Sequence, residues 1–140
     1  METVSFEIAK KLKEKGFREK CFARYSSYAG TLKYNEIDVD KRPPAYKLTI
    51  KEFGGCYNLY MYNDIDAPTI SQVLKWLREE KKIHLIVEIA DSGWYYTVYP
   101  NIRWEDGKLK SDKYIMSFKN KSSFELAALA GIEYVIDNLI

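Results

Sequence analysis

Residues 67–99 constrain the fold most, because a strong helix signal is followed there directly by two strand signals. Thr69 precedes an apolar stripe of helical period, with Pro68 before it and Gln72 three residues after it, which is the spacing of a capping box. The pattern predicts an amphipathic helix at about 69–82 with one buried face. The apolar stripe consists of Ile70, Val73, Leu74 and Leu77, with Trp76 at its edge.

Two segments after this helix alternate with the period of a β-strand. They span 83–90 and 94–102, and the short connection Asp91-Ser92-Gly93 predicts that they pair in antiparallel fashion. A further turn at 105–108 and a strand at 114–118 follow. One face of this hairpin is expected to pack on the helices, and its alternating side chains are Ile83, Leu85, Val87, Ile89, Trp94, Tyr96 and Val98.

Two more helices are predicted near the ends of the chain, at about 4–15 and 122–139. Thr3 or Ser5 can cap the first, and Gly16 can end it in the left-handed conformation. Ser122 is the expected N-cap of the last helix, with Glu125 completing a capping box. Its predicted buried stripe is Ala128, Ile132, Val135 and Leu139.

The remaining strand signals lie between the first two helices, at 21–28, 31–37, 46–53 and 56–62. Tyr, Phe and Trp make up 15% of the 140 residues, and aromatic side chains favour strands. The length suits one domain with a proper hydrophobic core. The sequence therefore predicts a single α+β domain, 1–140, with an antiparallel sheet and three helices packed largely on one face.

Charge and apolar content narrow the class of protein. The 22 basic and 20 acidic residues give a net charge of +2, too small to indicate a nucleic-acid or membrane partner by itself. No stretch approaches the roughly 20 apolar residues of a membrane span, and the first residues lack the apolar run of a secretory signal. Cys21 and Cys56 have no CxxC spacing, so reduced thiols in a cytoplasmic protein are expected.

The titratable residues do not form a recognisable catalytic set. His84 is the only histidine, and one histidine without a CxxC pair makes neither a zinc site nor a catalytic triad. Asp38, Asp40, Asp64 and Asp66 lack the glycine and terminal glutamate of an EF-hand loop. The sequence predicts no metal, no cofactor and no catalytic residue, and an enzyme is the third of three functional alternatives.

An aromatic strand offers the best candidate binding residues. Alternation places Tyr95 and Tyr99 on the sheet face opposite Trp94, and Arg103 follows closely. Exposed aromatic side chains beside an arginine suit a protein partner or stacked nucleic-acid bases. The alternative is that these tyrosines form cross-strand pairs that stabilise the sheet.

Two segments carry a resemblance to a known group of proteins. Residues 67–84, APTISQVLKWLREEKKIH, and residues 125–134, ELAALAGIEY, resemble segments of uncharacterised small proteins of gut Bacteroidales and of their phages and mobile elements. That group has no established activity, so the resemblance implies a genomic setting and no site residue. Members keep their helices while their strands vary, which implies a scaffold that presents a variable surface.

These observations favour a non-enzymatic protein-interaction module, with a second copy of the chain as one possible partner. The alternative is a nucleic-acid binder that uses residues 101–121, which hold six basic and three acidic side chains. The predicted order of helix, three strands and helix is also that of double-stranded RNA-binding domains. Those domains place basic residues on the first turns of the closing helix, whereas residues 123–128 contain an acid and no base.

Overall fold

The structure is a computed structural model that describes residues 2–21, 23–26, 32–34, 64–117 and 119–140. The chain forms two compact units, one made by Thr3–Thr69 and one by Ile70–Ile140 together with Glu2. Three helices and several antiparallel strands confirm the α+β class. The predicted strands at 46–53 and 56–62, and Cys56, lie outside the described residues.

The first unit combines helix α1 (Phe6–Glu14) with a three-stranded antiparallel sheet. In this sheet, β1 (Ala23–Tyr25) lies between β2 (Leu32–Tyr34) and β3 (Ile65–Asp66). Ser5 caps the helix, because its side chain accepts a hydrogen bond from Ile8 N at 3.3 Å. Gly16 ends it with a φ of 91°, and Phe17 N donates to Leu12 O at 2.9 Å.

Buried polar contacts tie this unit together. The Tyr25 hydroxyl donates to the carbonyl oxygen of Val4 at 2.6 Å. Arg24 and Asp64 are both buried, with Nη1 of Arg24 3.9 Å from Oδ2 of Asp64. A buried carboxylate and guanidinium have to lie near one another to offset their loss of hydration. Asp64 immediately precedes β3, outside any strand, and its side chain is part of the core of this unit.

The second unit contains two helices, α2 (Ile70–Glu80) and α3 (Phe124–Asn138). In its three-stranded sheet, β5 (Gly93–Tyr99) lies between β4 (His84–Ala90) and β8 (Ile115–Met116). A separate two-stranded ribbon consists of β6 (Arg103–Glu105) and β7 (Lys108–Lys110). The strands of the sheet and the ribbon are all antiparallel. Helix α3 packs against β4 and β5, and α2 packs against β4 and α3.

The helix stripes are nearly those expected, with two corrections. Leu77, Ile132 and Val135 are fully buried, but Leu74 is only half-buried and Trp76 takes its place in the core. The N-cap of α3 is Ser123 instead of Ser122, since its side chain accepts from Leu126 N at 3.2 Å. Starting one residue later removes the expected capping box.

A glycine allows α3 to approach the sheet closely. A Cβ atom at Gly131 would lie 2.7 Å from Cδ1 of Leu85 and 3.0 Å from Cγ of Tyr96. Both of those side chains belong to one face of the sheet, which we call the inner face. Trp94 also lies on the inner face and makes an edge-to-face contact with Phe124 of α3, with ring centroids 5.9 Å apart.

No helix among the described residues is long and apolar enough to cross a membrane.

Candidate interaction surface and cavity

The predicted alternation along β5 is confirmed, so Tyr95 and Tyr99 lie on the face opposite Trp94, which we call the outer face. Across the sheet, Thr97 of the outer face is opposite Ile86 on one side and Met116 on the other. Strand β8 packs mainly against β5, so each outer-face side chain of β5 lies beside its cross-strand neighbours.

Tyr95 is half-buried and bonded to its cross-strand neighbour. Its hydroxyl donates to Oε2 of Glu88 at 3.2 Å, and the two residues are directly opposite in the β4–β5 register. Desolvation, followed by the Glu88 carboxylate, raises the pKa of Tyr95. This tyrosine forms the cross-strand pair that was the alternative to a binding role.

Tyr99 belongs to a row of aromatic rings that crosses the outer face. Its ring centroid lies 6.3 Å from that of His84 on β4 and 5.8 Å from that of Tyr114, just before β8. These separations are within the range of favourable aromatic contacts. Tyr99 is half-buried, whereas Tyr114 is 54% exposed.

Arg103 is occupied by polar partners of its own segment. Its Nε lies 3.1 Å from Oε2 of Glu105, and its Nη1 lies 3.2 Å from Oδ1 of Asp112. Nη1 also donates to the carbonyl oxygen of Asn101 at 2.9 Å. Two carboxylates therefore balance its charge, and Arg103 braces the end of the ribbon instead of projecting beside Tyr95.

The most exposed apolar side chains of this region were not among the binding residues predicted from the sequence. Trp104 is 76% exposed and Leu109 is 63% exposed, and the two are directly opposite across the ribbon. Asp106 and Gly107 connect them with φ angles of 53° and 72°, the positive values of a type I′ hairpin turn. In the sequence, Trp104 stands two residues before Asp106, and Leu109 stands two residues after Gly107. This pattern around an Asp-Gly pair is the signal that would have revealed the ribbon.

These residues form a contiguous apolar region with the outer face. Leu109 and Tyr99 line the same depression, Tyr99 contacts Tyr114, and Tyr114 and Met116 are two residues apart along the chain. Met116 is 41% exposed. We call this region the aromatic surface, and it comprises Tyr99, Trp104, Leu109, Tyr114 and Met116.

A cavity of about 410 Å³ opens beside the aromatic surface. Its walls are apolar, and three basic residues, Arg78, His84 and Lys110, line it together with Ser111. An adjoining depression of about 460 Å³ shares Arg78 and contains Arg103. Tyr99 and Arg103 therefore line neighbouring depressions, and Tyr95 lines neither. The apolar walls of the cavity are Ile86, Tyr99, Ile102 and Leu109.

The electrostatic environment of the cavity is positive. Burial, followed by the charge of Arg78, lowers the pKa of His84. Lys110 Nζ lies 3.7 Å from Oε1 of Glu105 and 3.8 Å from Oδ2 of Asp106, so carboxylates partly balance its charge. The side chain of Arg78 forms no ion pair or hydrogen bond with the described residues. The cavity thus presents one uncompensated guanidinium.

The described residues contain no cluster of three or more side chains suited to hold a metal ion. Cys21 lies in the other unit, where burial, followed by the carboxylates of Asp66 and Glu19, raises the pKa of its thiol. A buried thiol with a raised pKa is a poor nucleophile.

Comparison of the chain with protein-family models, curated proteins and solved structures found no match. The fold and the site thus define a class only, an α+β protein with an exposed aromatic sheet face.

Proposed function

We propose that this protein is a non-enzymatic interaction module that binds a protein partner through the aromatic surface. The observation that carries the proposal is the group of four apolar side chains, each between 41% and 76% exposed, on one contiguous region. The largest contiguous apolar patch on a protein surface is often an interaction site. Aromatic residues and methionine are also enriched at protein interfaces.

The proposed partner is a protein, and a second copy of the chain is the first one to test, since a single apolar face can bury itself by two-fold association. The resemblance of residues 67–84 and 125–134 supports an accessory role in a phage or other mobile element. We propose the cytoplasm as its location, where the thiol of Cys21 would stay reduced.

The nucleic-acid alternative has less support from the arrangement of charges. Arg103 and Lys110, two basic residues beside the aromatic surface, are both close to carboxylates, which leaves Arg78 as the cation there without an anionic partner among the described residues. The described order α2-β4-β5-β8-α3 does correspond to the helix, three strands and helix of double-stranded RNA-binding domains, with the ribbon inserted before β8. However, the first turn of α3 carries Glu125 and no basic residue. A phosphate backbone would find few free cations there.

The experiment compares two double variants of matched chemistry. Trp104→Ser with Leu109→Ser removes the tip of the aromatic surface, and Ile89→Ser with Leu126→Ser removes equally exposed apolar side chains elsewhere. Sedimentation velocity over a concentration series measures self-association of the wild type and both variants. In parallel, lysate of the native host, with and without nuclease treatment, is passed over each immobilised protein, and captured proteins are quantified.

We expect a dimer, or a defined captured protein, with the wild type and the Ile89/Leu126 variant, and its loss with the Trp104/Leu109 variant. Equal association of all three proteins would contradict the proposal, because the aromatic surface would then be irrelevant. A wild type that neither dimerises nor captures a protein in a manner dependent on Trp104 and Leu109 would also contradict it. Capture that disappears on nuclease treatment would favour the nucleic-acid alternative.

A further inference from the structure

The cavity has properties of a ligand site that the aromatic surface does not need for docking a protein. Its volume of about 410 Å³ falls within the range of about 300–1,000 Å³ typical of small-molecule pockets. Four apolar side chains and a few polar groups at the margin also match the composition of such pockets. The cavity is therefore large enough for a ring system and is lined to receive one.

The charges at the margin select the kind of molecule. Three basic residues line the cavity, and no carboxylate does. Arg78 is solvent-exposed and has no anionic partner among the described residues, so an anion bound there would not have to displace one. A guanidinium is also well suited to bind a carboxylate or sulfonate through two parallel hydrogen bonds.

Two further observations support an anionic ligand. The pKa of His84 is lowered first by burial and then by the charge of Arg78, and this second cause shows that Arg78 disfavours another cation in the cavity. Lys110 is held by Glu105 and Asp106 of its own ribbon, which leaves Arg78 as the group able to pair with a ligand. Tyr99 and Leu109 belong to the apolar walls of the same cavity, so the site combines an apolar part with the charged group of Arg78.

We propose that the cavity lined by Arg78, His84, Tyr99, Ile102 and Leu109 binds a small organic anion with an aromatic or branched apolar body. Arg78 binds the anionic group, and the apolar walls cover the body. This site goes beyond the proposed interaction function, because it binds a small molecule and does not depend on a protein partner.

A pair of matched fluorescent probes tests the site. 8-Anilinonaphthalene-1-sulfonate carries one anionic group on an aromatic body, and N-phenyl-1-naphthylamine has nearly the same body without the charge. Both become brighter in an apolar environment, so a titration gives a Kd for each. The proteins compared are the wild type, Arg78→Gln, and Lys75→Gln, which removes an exposed cation from the same helix outside the cavity.

We expect saturable binding of one sulfonate probe per chain, weakened about fivefold by Arg78→Gln, the effect of losing one partly exposed ion pair. The Lys75→Gln variant should bind it as the wild type does. The neutral probe should bind wild type and Arg78→Gln equally. Leu109→Glu should weaken both probes, because it places a carboxylate at the apolar wall.

Chemical shifts of backbone amides locate the bound probe. Binding of the sulfonate probe should perturb the amides of Tyr99 and Ile102 most. An unchanged Kd in Arg78→Gln, an equal loss in Lys75→Gln, or perturbations that exclude the cavity would each overturn the proposal.

Trp104 lines only the adjoining depression. Trp104→Ser should therefore leave the probe affinities unchanged, so that failure of the interaction proposal and failure of this one are distinguishable.

Discussion

The inner and outer faces of the β4-β5-β8 sheet are built from the same strands but achieve burial in different ways. On the inner face, Val98 is fully buried and Leu85 is 5% exposed, because α3 packs against them through Gly131. On the outer face, Thr97 is 3% exposed, yet its neighbours across the sheet are strand residues, Ile86 and Met116. Farther out, Tyr114 and Trp104 remain largely exposed.

The difference separates residues that stabilise the fold from residues that are available for binding. Side chains under a helix contribute to stability through complete removal of apolar surface from water. Side chains on the outer face contribute through cross-strand contacts, each of about 0.2–1 kcal/mol. Substitutions on the two faces should therefore have unequal effects on unfolding, and the following expectations test that contrast from the largest effect to the smallest.

Truncation on the inner side should cost most. We expect Ile132→Ala to lower the free energy of unfolding by about 3–4 kcal/mol, because Ile132 is fully buried in α3 and leaves a cavity when shortened. Urea denaturation of the purified protein measures the change. Leu109→Ala is the comparison on the exposed side and should change stability by less than about 0.5 kcal/mol. Similar losses for both variants would remove the distinction between the faces.

Gly131→Ala tests the close approach of α3. We expect a loss of about 1–2 kcal/mol, because the added methyl group would lie 2.7 Å from Cδ1 of Leu85 and force the packing apart. Alanine favours the helix over glycine by about 1 kcal/mol, so helix propensity alone predicts that Gly131→Ala raises the free energy of unfolding. Ala130→Gly on the same helix measures the propensity term separately. A gain in melting temperature for Gly131→Ala would show that the helix and sheet have room to spare.

The two tyrosines predicted from the sequence and the more exposed side chains of the ribbon should contribute unequally to the free energy of unfolding. Replacing Tyr95 and Tyr99 with Ser should lower the unfolding free energy by about 1–2 kcal/mol. The reason is that Tyr95 loses its contact with Glu88 and Tyr99 loses its contact with Tyr114. Replacing Trp104 and Leu109 with Ser should leave it within about 0.5 kcal/mol. Thermal denaturation of both double variants measures this. The reverse order would mean that the ribbon, and not the strand, carries the stabilising contacts.

The smallest expected effect is a pH dependence at His84. Burial and Arg78 lower its pKa in the folded protein, so between that pKa and the unfolded value of about 6.5 the unfolded chain binds more protons. Stability should therefore be fully present above about pH 6.5 and decline as the pH falls toward the folded pKa. NMR titration should show a higher pKa for His84 in Arg78→Gln, and His84→Gln should flatten this part of the stability profile. A pKa unaffected by Arg78→Gln would contradict the electrostatic account of the cavity.

Local sequence patterns determined most of the secondary structure. All three helices occur within about two residues of their predicted limits, because an apolar stripe and a capping side chain are set by neighbours three or four residues away. The β4–β5 hairpin and its inward-facing Trp94 and Val98 follow from alternation and a short turn. Two of the errors were local: Ser122 was predicted as the N-cap in place of Ser123, and Leu74 as a core residue in place of Trp76, two residues later.

Long-range contacts decided the features of the candidate site. The sequence places Arg103 near Tyr99, but only the folded chain brings Asp112 to its guanidinium and leaves Arg78, from a helix over twenty residues earlier, as the unpaired cation of the cavity. Likewise, alternation assigns Tyr95 and Tyr99 to one face. It does not show that Tyr95 donates a hydrogen bond to Glu88 or that the ring of Tyr99 contacts that of Tyr114. A side chain's position on its own element depends on local geometry, whereas its partners depend on which distant segments pack beside it. The sequence therefore determined the elements and their faces, and the tertiary structure determined which groups on those faces remain available to bind.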